Sequence, residues 1–217
     1  AKSFRTRLFL SLLPVAFLLL FGACSPSHPQ STFDTAGPVA KMQLDLFLLI
    51  FWVAVAVFIA VEGILLYAII KFRRKPGQGV PKQTHGNTPL EIFWTILPAL
   101  VLIVIAIPTI RTIYDTASPP TEDAFEVTVV GHQWWWEFKY PSLGVVTANE
   151  LRIPVGEPID LTLESNDVIH SFWVPKLAGK TDLVPNNRNK MWFQADTPGT
   201  YYGQCAEFCG IIHALMR

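Results

Sequence analysis

The sequence is poor in cysteine and in charge. Three cysteines in 217 residues cannot build a disulfide framework. Charged residues make up 16% against 51% hydrophobic ones, a balance far from that of an ordinary soluble globule. No Gly-rich phosphate loop is present, no C-x-x-C-H haem-attachment motif, and no Ser/His/Asp arrangement with a recognisable nucleophile elbow. Phosphate-loop NTPase, covalent-haem and serine-hydrolase readings fall away with them. Acids are scarce in the first half: residues 1–114 hold ten Lys/Arg and four acids, whereas residues 115–217 hold thirteen acids and seven bases. The formal net charge of zero hides this asymmetry. A basic, apolar half followed by an acidic half points to a membrane anchor carrying an extramembranous domain. An exported acidic domain argues against nucleic acid as a partner.

What is present begins with an address. Lys2, Arg5 and Arg7 precede an apolar run over residues 8–21 that closes on Gly22, Ala23 and Cys24. This is the order of an export signal. Small residues directly before a cysteine also resemble a bacterial lipoprotein processing site, which would make Cys24 a lipidated N-terminus. An uncleaved membrane segment, or an ordinary signal with an incidental cysteine, is the plain alternative. Residues 25–41, with three Pro, three Ser and Gly37, read as an exported linker.

Two long apolar runs follow and predict a transmembrane hairpin over residues 42–114. The helices are expected at about 44–72 and 90–113, each long enough to span a bilayer. The connection, residues 73–89, belongs to a stretch from Lys71 that holds five Lys/Arg and no acid. By the positive-inside rule that loop is cytoplasmic, so residues 115–217 lie on the opposite face. Glu62, deep in the first run, is expected to face protein or stay protonated. Glu91 opens the second helix, where a carboxylate complements the positive N-terminus; a role in proton uptake is the alternative.

After Pro119 and Pro120 the pattern changes to short β-branched and aromatic runs punctuated by Pro and Gly, which predicts an all-β domain over residues 115–217, a sandwich or Greek-key barrel. Its end is chemically dense. Cys205 and Cys209 are four apart, Cys209 and His213 four apart, and Met216 follows three later. His170 would approach from a neighbouring loop. Soft sulfur with imidazole is a ligand set for copper or zinc. Thioether is a poor zinc ligand, and a mononuclear blue-copper site leaves one cysteine over. Two bridging thiolates could instead hold two coppers, each with one His and one weak axial ligand: Met216 on one side, the Glu207 carbonyl on the other. A redox disulfide would leave His and Met unexplained.

With these residues in view, the chain from Met42 to Arg217 resembles subunit II of a haem–copper cytochrome c oxidase. The marks are the 205–216 loop, Tyr201-Tyr202-Gly203-Gln204 before it, residues 168–175 around His170, Gly131-His132-Gln133-Trp134-Trp135-Trp136, Lys180-Thr181-Asp182 and residues 91–98. The resemblance implies two membrane helices and an exported cupredoxin-like Greek-key domain with a dinuclear, mixed-valence copper centre. Copper ligation by His170, Cys205, Cys209, His213, Met216 and the Glu207 carbonyl follows from it. It also implies that the Glu207 carboxylate binds a magnesium shared with subunit I. Trp134 would be the aromatic through which an electron arrives from cytochrome c, and Asp167 an acidic docking position. Glu91 would stand at the mouth of a lysine-lined proton pathway. Trp135 stands where the family commonly has Tyr; Trp135 and Trp136 are expected in the β core.

The implied partners are oxidase subunit I with its haem, the other oxidase subunits, cytochrome c and the membrane. The implied location is the bacterial inner membrane, multi-pass, with the C-terminal domain in the periplasm or exterior. Family members usually run on beyond the last ligand, so a longer native subunit is expected. A membrane-tethered copper carrier and a nitrous-oxide-reductase-like copper domain are the alternatives; quinol-oxidase relatives lack the Cys/His/Met set.

Overall fold

The computed structural model describes residues 28–74, 77, 79, 83 and 85–217. The signal-like segment with Cys24, and Lys75 and Lys82 of the basic loop, lie outside the described residues.

Helix α1 runs Pro38–Lys71, 34 residues, about 51 Å at 1.5 Å per residue. That exceeds the roughly 30 Å of bilayer hydrocarbon. Its start lies earlier than the hydropathy pattern predicts, for two physical reasons. Pro38 sits in the first turn, where its fixed φ favours a helix and its missing N–H costs nothing. Val39 and Ala40 are then buried against the β domain. Helix α2 runs Thr88–Ala117, 30 residues, with Asn87 as N-cap accepting the Leu90 N–H at 3.3 Å. It ends at Ser118, ahead of Pro119 and Pro120. The most apolar windows of the two helices have mean hydropathy 2.8 and 2.5, and none of those residues is buried within the chain. Apolar surface on this scale requires lipid or neighbouring helices. The two form a transmembrane hairpin, and the chain is a membrane protein. Glu62 is half-buried and Glu91 exposed in the first turn of α2.

The remainder is a two-sheet sandwich. Its strands are β1 Phe125–His132, β2 Trp135–Tyr140, β3 Val145–Ala148, β4 Ile159–Ser165, β5 His170–Trp173, β6 Thr181–Leu183, β7 Asn189–Phe193 and β8 Gln204–Cys205. One sheet has the order β3-β2-β1-β4-β7 and the other β6-β5-β8. All pairings are antiparallel except β1 with β4. Alternation decides which faces meet: in β4, Ile159, Leu161 and Leu163 are fully buried while Asp160 and Thr162 between them are not. They pack with Val127, Val129, Trp136, Phe138, Phe172, Leu183 and Phe193. Each such side chain stabilises the fold by about 1.5–3 kcal/mol.

Three connections gather at one end of this sandwich. β1 and β4 run parallel, so the turn Gln133-Trp134 after β1 and the loop 166–169 after β4 emerge together. β8 pairs antiparallel with β5, Cys205 opposite Phe172. The chain leaving Cys205 therefore heads back toward His170, with the Ala206 N–H donating to the Ser171 carbonyl at 2.9 Å.

Candidate metal centre

The ligand loop starts on a strand and returns to it. The Cys205 N–H donates to the Met216 carbonyl at 2.9 Å, closing the loop, and a short 3-10 turn, His213–Leu215, steers Met216 inward. The two thiol sulfurs lie 3.7 Å apart. Around Cys205 Sγ stand His170 Nδ1 at 3.9 Å and the Glu207 carbonyl oxygen at 3.2 Å. Around Cys209 Sγ stand His213 Nδ1 at 3.5 Å and Met216 Sδ at 3.8 Å. Each thiol thus has its own imidazole and its own weak donor. His170, Cys205, Cys209 and Met216 are all buried, His170 completely. The ligand atoms of His170, Cys205 and Cys209 fall within 4.8 Å of one another. A largely buried pocket that concentrates soft donors fits copper, and a pair of coppers accounts for every donor without a spare.

The electrostatics of the pair are asymmetric. For Cys205, burial favours the neutral thiol, but hydrogen bonds led by the His170 ring, with the Ser171 and Glu207 backbone next, outweigh it and bring the pKa to about 6. For Cys209, burial and the neighbouring Cys205 push the pKa up to about 12. Without metal the two sulfurs therefore share one negative charge; a bound cation would release the second proton. Cys205 therefore contributes stability in full above its ordinary value of 9.0, and this is lost as pH falls through about 6. In a metal-free Cys24→Ser chain, ultraviolet thiolate absorbance should rise in one step near pH 6, with no second step before strongly alkaline pH. Two equal steps near the ordinary thiol value would refute this asymmetry.

His170 is oriented from behind. Its Nε2 lies 2.7 Å from Asp167 Oδ1, so an N–H on Nε2 donates to the carboxylate and Nδ1 is the nitrogen turned toward Cys205. Burial opposes charging of the ring, but Cys205 and Asp167 outweigh it and raise its pKa. Asp167 is fixed in turn by the N–H groups of Gln133 and Val168, both at 2.6 Å. Burial raises its pKa, yet the His170 contact and these backbone donors hold it below the usual carboxylate value. The resemblance implies a docking role for Asp167; its contact with His170 is a second one that the structure adds. The signal was a carboxylate three residues before the imidazole. Asp167→Ala is expected to weaken copper binding about 10–100-fold, measured by chelator competition. Asp167→Asn, which keeps an acceptor, should lose less.

Trp134 is half-buried beside the loop, its indole N–H donating to the Cys209 carbonyl at 3.1 Å. Gln133 Nε2 donates to the same oxygen at 2.8 Å, a clamp invisible in the sequence. Trp136 is in the core as expected. Trp135 is not: it stacks on His132, ring centroids 4.4 Å apart and 7° from parallel, and His132 pairs with Glu137 at 2.9 Å. The alternation of β2 puts Trp135 on the face opposite Trp136, and the His132 ring is a partner for its outer side. The Glu207 carbonyl faces Cys205, while its carboxylate is exposed near Lys180 Nζ at 3.9 Å, which also pairs with Asp182 at 3.6 Å. Glu91 opens α2 and is not part of this cluster.

A membrane hairpin joined to a β-sandwich with a buried Cys/His/Met cluster defines a class: membrane-anchored proteins whose cupredoxin-like domain carries a candidate metal site. The family models for the transmembrane and periplasmic domains of cytochrome c oxidase subunit II match residues 26–112 and 143–217. Cytochrome c oxidase subunit 2 of Alkalihalophilus pseudofirmus is 42% identical over 94% of this chain and 62% of its own length. Quinol oxidase subunit 2 of Bacillus cereus is 38% identical over 92% of this chain and 70% of its own. The crystal structure of the periplasmic domain of cytochrome oxidase subunit II of Bradyrhizobium japonicum is 33% identical, covers 45% of this chain and 81% of that one, and has a TM-score of 0.43. The chain belongs to the cytochrome c oxidase subunit II family. It spans about six tenths of the length of the first curated relatives it matches.

Proposed function

We propose that this chain is the electron-accepting subunit of a bacterial haem–copper oxidase. It takes electrons from cytochrome c at a dinuclear copper centre and passes them to haem in subunit I, where oxygen is reduced to water with proton pumping. One observation carries the reading: two buried sulfurs 3.7 Å apart, each with its own imidazole and weak donor. His170, Cys205, Cys209, His213, Met216 and the Glu207 carbonyl would hold the coppers. The metal pair would supply one-electron redox chemistry.

The chain's own residues do the rest. The loop, closed from Cys205 to Met216, keeps the donors in one geometry, so little must move when charge changes. Asp167 holds the His170 ring, and the core aromatics exclude water. Trp134 reaches the loop through its bond to the Cys209 carbonyl and offers the path for the incoming electron. The surplus of acids in residues 115–217 steers a basic donor by opposite charge. The exposed Glu207 carboxylate is left for a magnesium shared with subunit I, and Glu91 stands at the cytoplasmic mouth of a proton path. The division we favour is an export or lipoprotein signal ending at Cys24, then the inner-membrane hairpin, then a periplasmic or exterior copper domain.

Some relatives are named quinol oxidase subunit 2. The Cys/His/Met cluster favours the copper-bearing reading over theirs. The test is purification of the whole chain from its native membrane. Co-purification with a haem-bearing subunit, and oxygen uptake driven by reduced cytochrome c, are expected. Copper-loaded chain without any haem partner would instead make it a tethered copper carrier.

A further inference from the structure

The segment before α1 does more than connect. Residues 34–40 run along the sandwich and bond to it at Asp34, Ala36 and Ala40. Asp34 pairs with Lys176 Nζ at 2.5 Å, and the Ala36 N–H donates to the Lys176 carbonyl at 2.8 Å. The Asp196 N–H donates to the Ala36 carbonyl at 2.9 Å, and the Ala40 N–H to the Leu177 carbonyl at 3.1 Å. Gly37 lies so close that an added Cβ would stand 2.1 Å from the Gln194 carbonyl oxygen. Val39 and Ala40, already helical, complete the contact at 2% and 5% exposure. The end of α2 is tied to the same edge, the Trp192 indole N–H donating to the Asp115 carbonyl at 3.3 Å.

The contacted turn, residues 174–179, joins β5, which begins with His170, to Lys180 and β6, which face the exposed side of Glu207. Both outer ends of the hairpin are therefore bolted to the frame that carries the ligand loop. A flexible linker would tether the domain; this strap orients it.

We propose that residues 34–40 form a strap that sets the position of the metal loop relative to the membrane hairpin. In this role Gly37 and the Asp34–Lys176 pair are positioning residues for electron delivery to the partner subunit. The inference rests on the functional reading above. Electron transfer to a partner depends steeply on distance and orientation, and a displacement of an ångström is enough to matter. None of these residues touches the metal ligands, so their effect separates cleanly from metal binding.

The test uses the intact oxidase complex with Gly37→Val. Copper content, the copper spectrum and reduction of the copper by donor should match the unsubstituted complex. Flash-initiated transfer from copper to haem should slow by roughly tenfold or more. A fully assembled Gly37→Val complex with an unchanged copper-to-haem rate overturns the proposal. Should that variant not assemble, Asp34→Asn combined with Lys176→Met removes the ion pair without adding volume. A slowed transfer there supports the strap, and an unchanged one overturns it. Absence of copper or haem from the unsubstituted complex would be a failure of the functional reading instead, visible before any variant is made.

Discussion

A chain carrying Cys209→Ser is expected to bind no more than one copper and to lose the delocalised spectrum altogether. Cys209 is the hub of one half of the cluster, with His213 Nδ1 at 3.5 Å, Met216 Sδ at 3.8 Å and the partner sulfur at 3.7 Å. Serine is a hard oxygen donor with a proton that copper cannot readily displace, so the pair loses one of its two bridging thiolates and Cys205 alone cannot hold both metals. Electron flow through the complex should fall by more than the roughly 10–100-fold typical of groups one step removed from a metal. The residue is 3% exposed, so the new hydroxyl needs a partner. If it finds none, the metal-free protein loses about 1–3 kcal/mol. Metal analysis with electron spin resonance checks the first claim and denaturant unfolding the second. A full copper pair in this variant would refute the bridging role of Cys209.

Gly131→Val has the next largest expected effect, although Gly131 bears no donor. The residue is buried on β1 with the His170 ring against it, and an added Cβ would stand 2.8 Å from His170 Cδ2 and 3.0 Å from Cγ. His170 cannot retreat, because it is fully buried, and Asp167 holds its far nitrogen at 2.7 Å. Either the ring leaves Cys205 or the strand moves. Overpacking of this kind costs about 1–3 kcal/mol, and loss of the imidazole should shift the copper spectrum. The expected result is a less stable domain whose copper centre has an altered spectrum and weakened binding. A spectrum identical to that of the unsubstituted chain would show that β1 yields without disturbing the ligand.

The hairpin and the metal loop were legible because each rests on local pattern. Bilayer length and positive flanking charge mark the helices, and short-range spacing of Cys205, Cys209, His213 and Met216 marks the loop. What stayed hidden depends on contacts remote in sequence. The extension of α1 back to Pro38 is driven by burial of Val39 and Ala40 against strands more than a hundred residues away. β3 and β6 are four and three residues long, too short for alternation to show, and exist through pairing with β2 and β5. Of the aromatic stretch before the loop only Gln204 and Cys205 pair, where the Gly203 backbone packs against the Trp173 carbonyl. Asp167 read as a surface acid because its partner His170 becomes a neighbour only through the turn between them. Gln133 and Trp134 converge on the Cys209 carbonyl from about 75 residues upstream.

The measurement that bears most directly on the central claim is copper stoichiometry with electron spin resonance on the purified, copper-loaded chain. Two coppers per chain are expected, with the many-line hyperfine pattern of one unpaired electron shared equally by two copper nuclei. One copper per chain with the simpler pattern of a single nucleus, or a silent zinc adduct, would contradict it.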